Sequence, residues 1–194
     1  PQPFALLFID LEHFKRINDS LGHAAGDEVL KQTAERLKER VRETDTVTRL
    51  GGDEFTIILA QIRATRDPES VAEHVLQSMA TPFIIAGNEH FLNASIGIAL
   101  YPEDGKSAEE LLRNADIAMY GAKAAGKARL VVFQPHMQEQ LHDRLRLEQD
   151  IDLALSRDEF FLEFQPVVDL TSRELLGVEA LLRWNHPQRG VVMP

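Results

Sequence analysis

The chain has 194 residues, 44% of them apolar, so it can bury a core of ordinary domain size. Its 21 basic and 31 acidic residues leave a formal charge of −10, which argues against nucleic acid or an anionic membrane as the main partner. It contains no cysteine, which excludes disulfides and thiolate metal sites, and no apolar run nears the roughly 18 residues that span a bilayer or reads as a signal peptide, so the expected setting is soluble and cytoplasmic.

Residues 4–9 are a continuous apolar run closed by Asp10, the pattern of a strand buried on both faces with an acid at its C-terminal end. Residues 11–21 predict a short helix and a turn closed by Gly22. Residues 24–41 predict a longer helix with Leu30, Ala34, Leu37 and Val41 on one stripe. Two runs of strand propensity, 46–50 and 55–60, flank Gly51-Gly52, a two-residue hairpin signal. Glycine there tolerates positive φ and lets another group approach the backbone. Asp53 and Glu54 follow at once, and two acids at one tight turn repel unless a cation is near.

Asp67-Pro68 predicts the N-cap and first residue of a helix reaching Ala80, with Val71, Val75 and Met79 buried. A second hairpin is expected, with arms 82–86 and 90–100 around Gly87-Asn88. In its longer arm Leu92, Ala94, Ile96, Ile98 and Leu100 make one apolar face. Ser107 and Glu110 form a capping box that opens a helix to Ala124. Gly126 stops it, and 130–133 is a closing strand. The order β, α, α, β, β, α, β, β, α, β describes an α/β sheet layered with helices. Beyond Gln134-Pro135, residues 136–156 predict a charged amphipathic helix with Met137, Leu141, Leu145, Ile151 and Leu155 along one side. Strand-like runs follow at 160–170 and 175–182.

Asp10 ends a strand and Asp53 sits in a turn; if their strands are neighbours, the carboxylates converge. Paired carboxylates with substrate phosphates suit magnesium, a hard ion that prefers oxygen ligands. Two such ions would stabilise the attacking and leaving oxygens of an in-line displacement at phosphorus. Asn18 offers both donor and acceptor, and Asp27 offers a carboxylate that can accept paired N–H groups; each is alternatively a helix cap. Lys15 brings a compact positive charge for a triphosphate. Lys123 and Lys127, four apart, are expected on one face near a helix end, where the helix dipole also favours lysine. Arg42 and Asp45, an RxxD spacing just before the hairpin, would by themselves be a solvated helix end.

The stretch RLGGDEF at 49–55, with FKRIND at 14–19 and GHAAGD at 22–27 before it, resembles the GGDEF domain family, the diguanylate cyclases, from the first residues to about 133. The resemblance implies a palm-like, nucleotide-cyclase α/β (α+β) fold: a mostly antiparallel central sheet of about five strands flanked by helices, with the GGDEF turn on a β-hairpin. It implies that Asp10, the carbonyl of Leu11 and Asp53 hold Mg2+ (or Mn2+), two ions per GTP, with Glu54 beside them. Asp53, Glu54 and Lys15 would be catalytic. Asn18, His23 and Asp27 would face guanine, Phe14, Gly51 and Gly52 would belong to the substrate site, and Lys123 and Lys127 would meet the phosphates. Arg42 and Asp45 would bind product at an inhibitory site.

The implied activity is condensation of two GTP into cyclic di-GMP and two pyrophosphates by a homodimer, with product feedback inhibition. A GTP-binding regulatory module controlling a fused phosphodiesterase is the alternative, and cyclisation to a mononucleotide is a third reading. Two positions depart from the family pattern. Lys127-Ala128 stands where Arg-Asn is common, which keeps a charge but loses a bidentate fork. Glu12 stands where Asp is common and is expected off the metal.

Gln165-Pro166 and the run from Glu179 to Trp184 resemble the opening of an EAL domain, the cyclic-di-GMP phosphodiesterase module. The implied organisation is a GGDEF domain at 1–134, lacking the helical segment that the family carries before its first strand, a linker helix at 135–157 and the start of an EAL domain at 158–194. A (β/α)₈ barrel needs roughly 250 residues, so no phosphodiesterase activity is expected of residues 158–194.

Overall fold

The first apolar run becomes β1 (Phe4–Leu11) and lies in the middle of a five-stranded sheet, which is why both of its faces are apolar. The computed structural model describes residues 2–62 and 67–193, and its contacts divide the chain into units 1–139 and 140–194. After β1 come α1 (Phe14–Leu21), α2 (His23–Glu39), β2 (Thr46–Gly51), β3 (Glu54–Leu59) and α3 (Asp67–Met79). Then follow β4 (Phe83–Ile85), β5 (Asn88–His90), β6 (Ala94–Tyr101), α4 (Ala108–Ala124), β7 (Leu130–Val132) and α5 (His136–Ser156). The strand order is β2-β3-β1-β6-β7, antiparallel except for the β6–β7 edge, as the mostly antiparallel α/β reading anticipates.

Helices cover both faces of this sheet. α4 packs on β6, β1 and β7, and its Leu111, Ala115, Ala118 and Ala122 are buried. α2 and α3 contribute Val29, Leu30, Leu37, Ala72, Val75 and Met79 to the core on the opposite face. The stripes predicted for these helices are therefore the buried ones. The N-cap expected of Asp67 concerns a side chain outside the described residues.

Several expectations shift. The first turn is Gly52-Asp53 rather than Gly51-Gly52. An irregularity in register between Arg49 and Gly51 pairs Gly51 with Glu54, and Gly52 takes φ 53°. The long arm at 90–100 is not one strand: β5 pairs with β4 in a small separate sheet, 91–93 leaves strand geometry, and β6 begins at Ala94. That hairpin turns at Ala86-Gly87, both at positive φ, one residue earlier than expected. β6 also lacks an open face, because Ser95 and Ala99 are as fully buried as Ile96 and Ile98. The capping box is present: Ser107 Oγ accepts from Glu110 N–H (3.1 Å), and the Glu110 carboxylate accepts from the backbone N–H groups of Lys106 (2.7 Å) and Ser107.

In the second unit β8 (Phe160–Val168), β9 (Leu175–His186) and β10 (Gly190–Val192) form an antiparallel sheet. The expected stripe of α5 is not the buried one there, since Leu155 is 68% exposed and Ile151 is also exposed. Asp143, Asp150 and Ala154 lie on the side that meets the sheet. Asp143 pairs with Arg189, Asp150 with His186, and Ala154 is fully buried. Trp184 is buried between Phe160 and His186 and donates from Nε1 to Glu159 (3.0 Å). Among the described residues no helix is long and apolar enough to cross a membrane.

The close approach of α4 depends on Gly97, where a Cβ would overlap the Ala115 carbonyl and the Met119 backbone nitrogen. Neither is a movable side-chain tip, so the helix must lift off the sheet. Gly97→Ala is expected to cost about 3 kcal/mol, read as a fall in the midpoint of chemical denaturation.

Candidate functional site

Register brings the acids together. Asp10, at the end of β1, is the cross-strand partner of Glu54 on β3 and of Ser95 on β6. Directly opposed residues of antiparallel strands project to one face, so Asp10, Glu54 and Ser95 share the face that α4 covers. The Leu11 N–H donates to the Asp53 carbonyl (3.2 Å), which draws the turn against the end of β1. Arg49 clamps the same turn, with Nε and Nη2 donating to the Gly52 carbonyl at 3.0 and 2.8 Å. Nothing in the sequence singled out Arg49 for this task.

Asp10 is 8% exposed and ion-paired with Lys123 Nζ at 2.7 Å. Burial pushes its carboxyl above the ordinary carboxylate range; the Lys123 ammonium opposes this, and the charges of Asp53 and Glu12 add to it. The Glu54 carboxyl is raised as well, by burial first and then by Asp116, Asp10 and Asp53. Asp116 went unnoticed in the sequence. It lies on α4 seven residues before Lys123, open to solvent along one side, yet surrounded closely enough for burial to raise its carboxyl too, with Lys123 opposing.

The oxygen donors at this point, the Asp10 and Asp53 carboxylates and the Leu11 carbonyl, are the type a hard divalent cation takes, and Lys123 shows that Asp10 accommodates a cation. Among the described residues no three acids, histidines or cysteines form a ready-made metal cage, so substrate oxygens would have to complete the coordination.

The predicted guanine residues lie on α1 and α2, the helix pair that follows β1. Asn18 is half-buried on α1, and its side chain lies over Gly26 of α2, where any Cβ would overlap it. The Phe14 ring is buried in the core next to the same glycine, so it is a floor rather than a free contact surface. Neither Asn18 nor Asp27 caps a helix. The N-cap positions are His13 and Gly22, which places Asp27 in the second turn of α2, exposed, with His23 exposed at its start. Lys15 is exposed on α1 without a partner among the described residues.

Lys123 and Lys127 do not share a helix face. α4 ends at Ala124, and Lys127 lies beyond Gly126 in a left-handed conformation (φ 63°). Glu12 is buried and bonded to Ser95 Oγ (2.6 Å) and to the Ala128 N–H (3.0 Å). Gly51 and Gly52 are exposed at the turn.

Arg42 and Asp45 close a turn away from these carboxylates. The Asp45 carboxylate accepts the N–H of Arg42 (2.9 Å) and of Ala60 (3.0 Å), tying the loop to the end of β3. The Arg42 side chain is exposed and borders pockets on both sides of the turn, one of about 280 Å³ with His74 and Ser70, the other of about 270 Å³ with Lys38. In the second unit Glu179 is exposed on β9, opposite Gln165 of β8.

A family model described as "Diguanylate cyclase, GGDEF domain" matches residues 1–129, and one for the EAL domain matches 148–194. The bifunctional diguanylate cyclase/cyclic di-GMP phosphodiesterase MucR of Pseudomonas aeruginosa is 44% identical over 191 residues, 98% of this chain and 28% of its own length. The cyclic di-GMP phosphodiesterase NbdA of the same organism is 38% identical over 190 residues, 98% of this chain and 24% of its own. The chain thus spans about a quarter of the length of these curated relatives. Among solved structures, the GGDEF domain of TpbB (YfiN) from P. aeruginosa superposes with a TM-score of 0.71 at 41% identity, covering 73% of this chain and 83% of that one.

A raised native carboxyl binds its proton more tightly than the unfolded chain does, so stability falls as pH climbs from the unfolded value through the native one. Asp10→Asn removes the buried charge and leaves Lys123 free to rehydrate. Its melting temperature in chelator-containing buffer is expected to exceed wild type at pH 7, with the gain vanishing below the carboxylate range. An unchanged pH 7 melting temperature would contradict this.

Proposed function

Because the chain belongs to the diguanylate cyclase GGDEF-domain family over residues 1–129, we propose that it condenses two GTP molecules into cyclic di-GMP with release of two pyrophosphates. The observation that carries this reading is the meeting of Asp10, Glu54 and the Asp53 turn on one sheet face beside Lys123. In each half-reaction a 3′-oxygen forms a bond to the α-phosphorus of the other GTP, the bond to pyrophosphate breaks, and the hydroxyl proton leaves.

Asp10, Asp53 and the Leu11 carbonyl would hold Mg2+ or Mn2+, which supplies charge neutralisation at the phosphates. The chain's own residues do the rest. Asn18 and Asp27 fix the guanine from α1 and α2, with His23 at the entrance. Lys15, Lys123 and Lys127 draw the tetra-anionic substrate into a chain whose net charge is −10, and Lys15 stabilises charge developing at phosphorus. Glu54 is suited to take the hydroxyl proton, because burial and its acidic neighbours make its carboxyl a stronger base than an exposed glutamate. One chain positions one GTP, so turnover requires two chains facing each other about a two-fold axis.

Arg42 would capture the product's phosphate or stack on its base. Asp45, already bonded to two backbone N–H groups, holds the loop and keeps lone pairs for a guanine edge.

A second reading has a specific observation behind it: NbdA, similar over the same stretch, is described as a phosphodiesterase. In that reading the domain binds GTP and regulates a phosphodiesterase module without making product.

Incubating the chain with GTP and Mg2+ and weighing the products by mass spectrometry separates these readings. Cyclic di-GMP is expected, and GTP binding without product would favour the regulatory role, whereas a cyclic mononucleotide would point to the third chemistry. Asp53→Ala is expected to lower pyrophosphate release at least a thousandfold while leaving the circular dichroism spectrum unchanged. Calorimetry with cyclic di-GMP is expected to show binding to the wild type and none to Arg42→Ala; retained binding there would remove the inhibitory site from residues 42–45.

A further inference from the structure

We propose that Glu12 is a positioning residue, which acts on the substrate only through Lys127 by holding the loop after α4 in place. The inference rests on the reading of Lys127 as a triphosphate contact. Glu12 lies in the turn just past the end of β1, two residues after Asp10, and it is 6% exposed; its carboxylate meets Ser95, the cross-strand partner of Asp10. A buried carboxylate has to be compensated, and here one oxygen takes both donors: Glu12 Oε1 accepts from Ser95 Oγ at 2.6 Å and from the Ala128 N–H at 3.0 Å. Its own N–H donates to the Asn93 carbonyl at 2.8 Å, which fixes the residue against the entry to β6.

The loop it grips needs a grip. Gly126, Lys127 and Ala128 have φ of 117°, 63° and 50°, three consecutive residues in a region that L side chains rarely adopt. Glycine accepts this freely; lysine and alanine do not. The flanks are held by other bonds: the Lys127 N–H reaches back to the Ala122 carbonyl (3.1 Å), and the Arg129 carbonyl accepts from Ile96 N–H of β6 (2.9 Å). The N–H of Ala128 has no such local partner, and its bond goes to Glu12, 116 positions away. The Lys127 side chain, one residue earlier, is exposed and has no partner among the described residues, so its reach is set by the backbone beneath it. Glu12 therefore decides where Lys127 points, through the oxygen that binds both donors.

The test is calorimetry of the 194-residue chain with Mg2+ and a GTP analogue whose α–β bridge is a methylene, so that no turnover intervenes. Lys127→Met is expected to weaken binding about tenfold, the usual worth of one charged phosphate contact. Glu12→Met, which keeps the volume but loses the acceptor, is expected to weaken it equally, and the double variant to bind no worse than either single one. Glu12→Gln keeps an Oε1 in place and is expected to stay within about twofold of wild type. Additive losses in the double variant, or wild-type affinity for Glu12→Met, would overturn the proposal.

If Lys127→Met alone leaves affinity unchanged, the assignment of Lys127 to the phosphates falls and takes this inference with it, while product formation by the chain is read separately. Should Glu12→Met fail to fold, Ser95→Ala, which removes one of the two donors, is expected to weaken binding severalfold in the wild type and not at all on Lys127→Met; equal losses in both would overturn the link.

Discussion

The alignment of β1 with β3 that sets Asp10 opposite Glu54 is the constraint on which everything else rests. A slip of one residue would send Asp10 to the other face of the sheet, into the apolar layer shared with α2 and α3. Two features prevent it. Residues 5–9 of β1 are buried between neighbours on both sides, and the Leu11 N–H is bonded to the Asp53 carbonyl at the very end of the strand. The acids therefore gather where the core stops, close enough to interact and near enough to the surface to be reached.

That location explains the electrostatics. Asp10, Glu54 and Asp116 are all driven toward weaker acidity by burial, and Lys123 is the cation that offsets each of them. Such a cluster stabilises nothing in the isolated fold. It persists because the packed strands and helix around it are strong enough to carry it, and it is the sort of local cost found where a polyanion and its counterions are handled. The same argument separates Asp10 from Glu12. One has a mobile ammonium as its partner; the other is tied to a hydroxyl and a backbone N–H, so only the first can exchange partners readily.

Much of this was visible beforehand, and what was not has definite causes. α2 and α3 follow their apolar periods because each meets one continuous layer, and β1 is apolar throughout because both of its faces are covered. The GGDEF turn moved by one residue because the register irregularity at Arg49–Gly51 leaves no trace in an alternating pattern. The strand expected at 90–100 breaks because its alternation runs on past the point where the chain leaves one sheet for another. Lys123 could be read as a cation but not as the partner of Asp10, since that depends on how deeply α4 sits. Glu12 and Ala128 meet across 116 residues, and no local pattern announces such a bond. The stripe assigned to α5 was offset because several of its faces carry leucines, and only the contacts of Asp143 and Asp150 reveal which one is inward.

Gly97 has a consequence for motion. At Gly97 the backbone of α4 rests directly on the backbone of β6, with no side chain between them to act as a bearing, which restrains the helix from sliding along the strand. Release of Lys123 from Asp10 then asks only for rotation about the bonds of that one side chain. A change so small can follow the arrival of a ligand within the time of a rotamer flip, with no secondary-structure element having to travel.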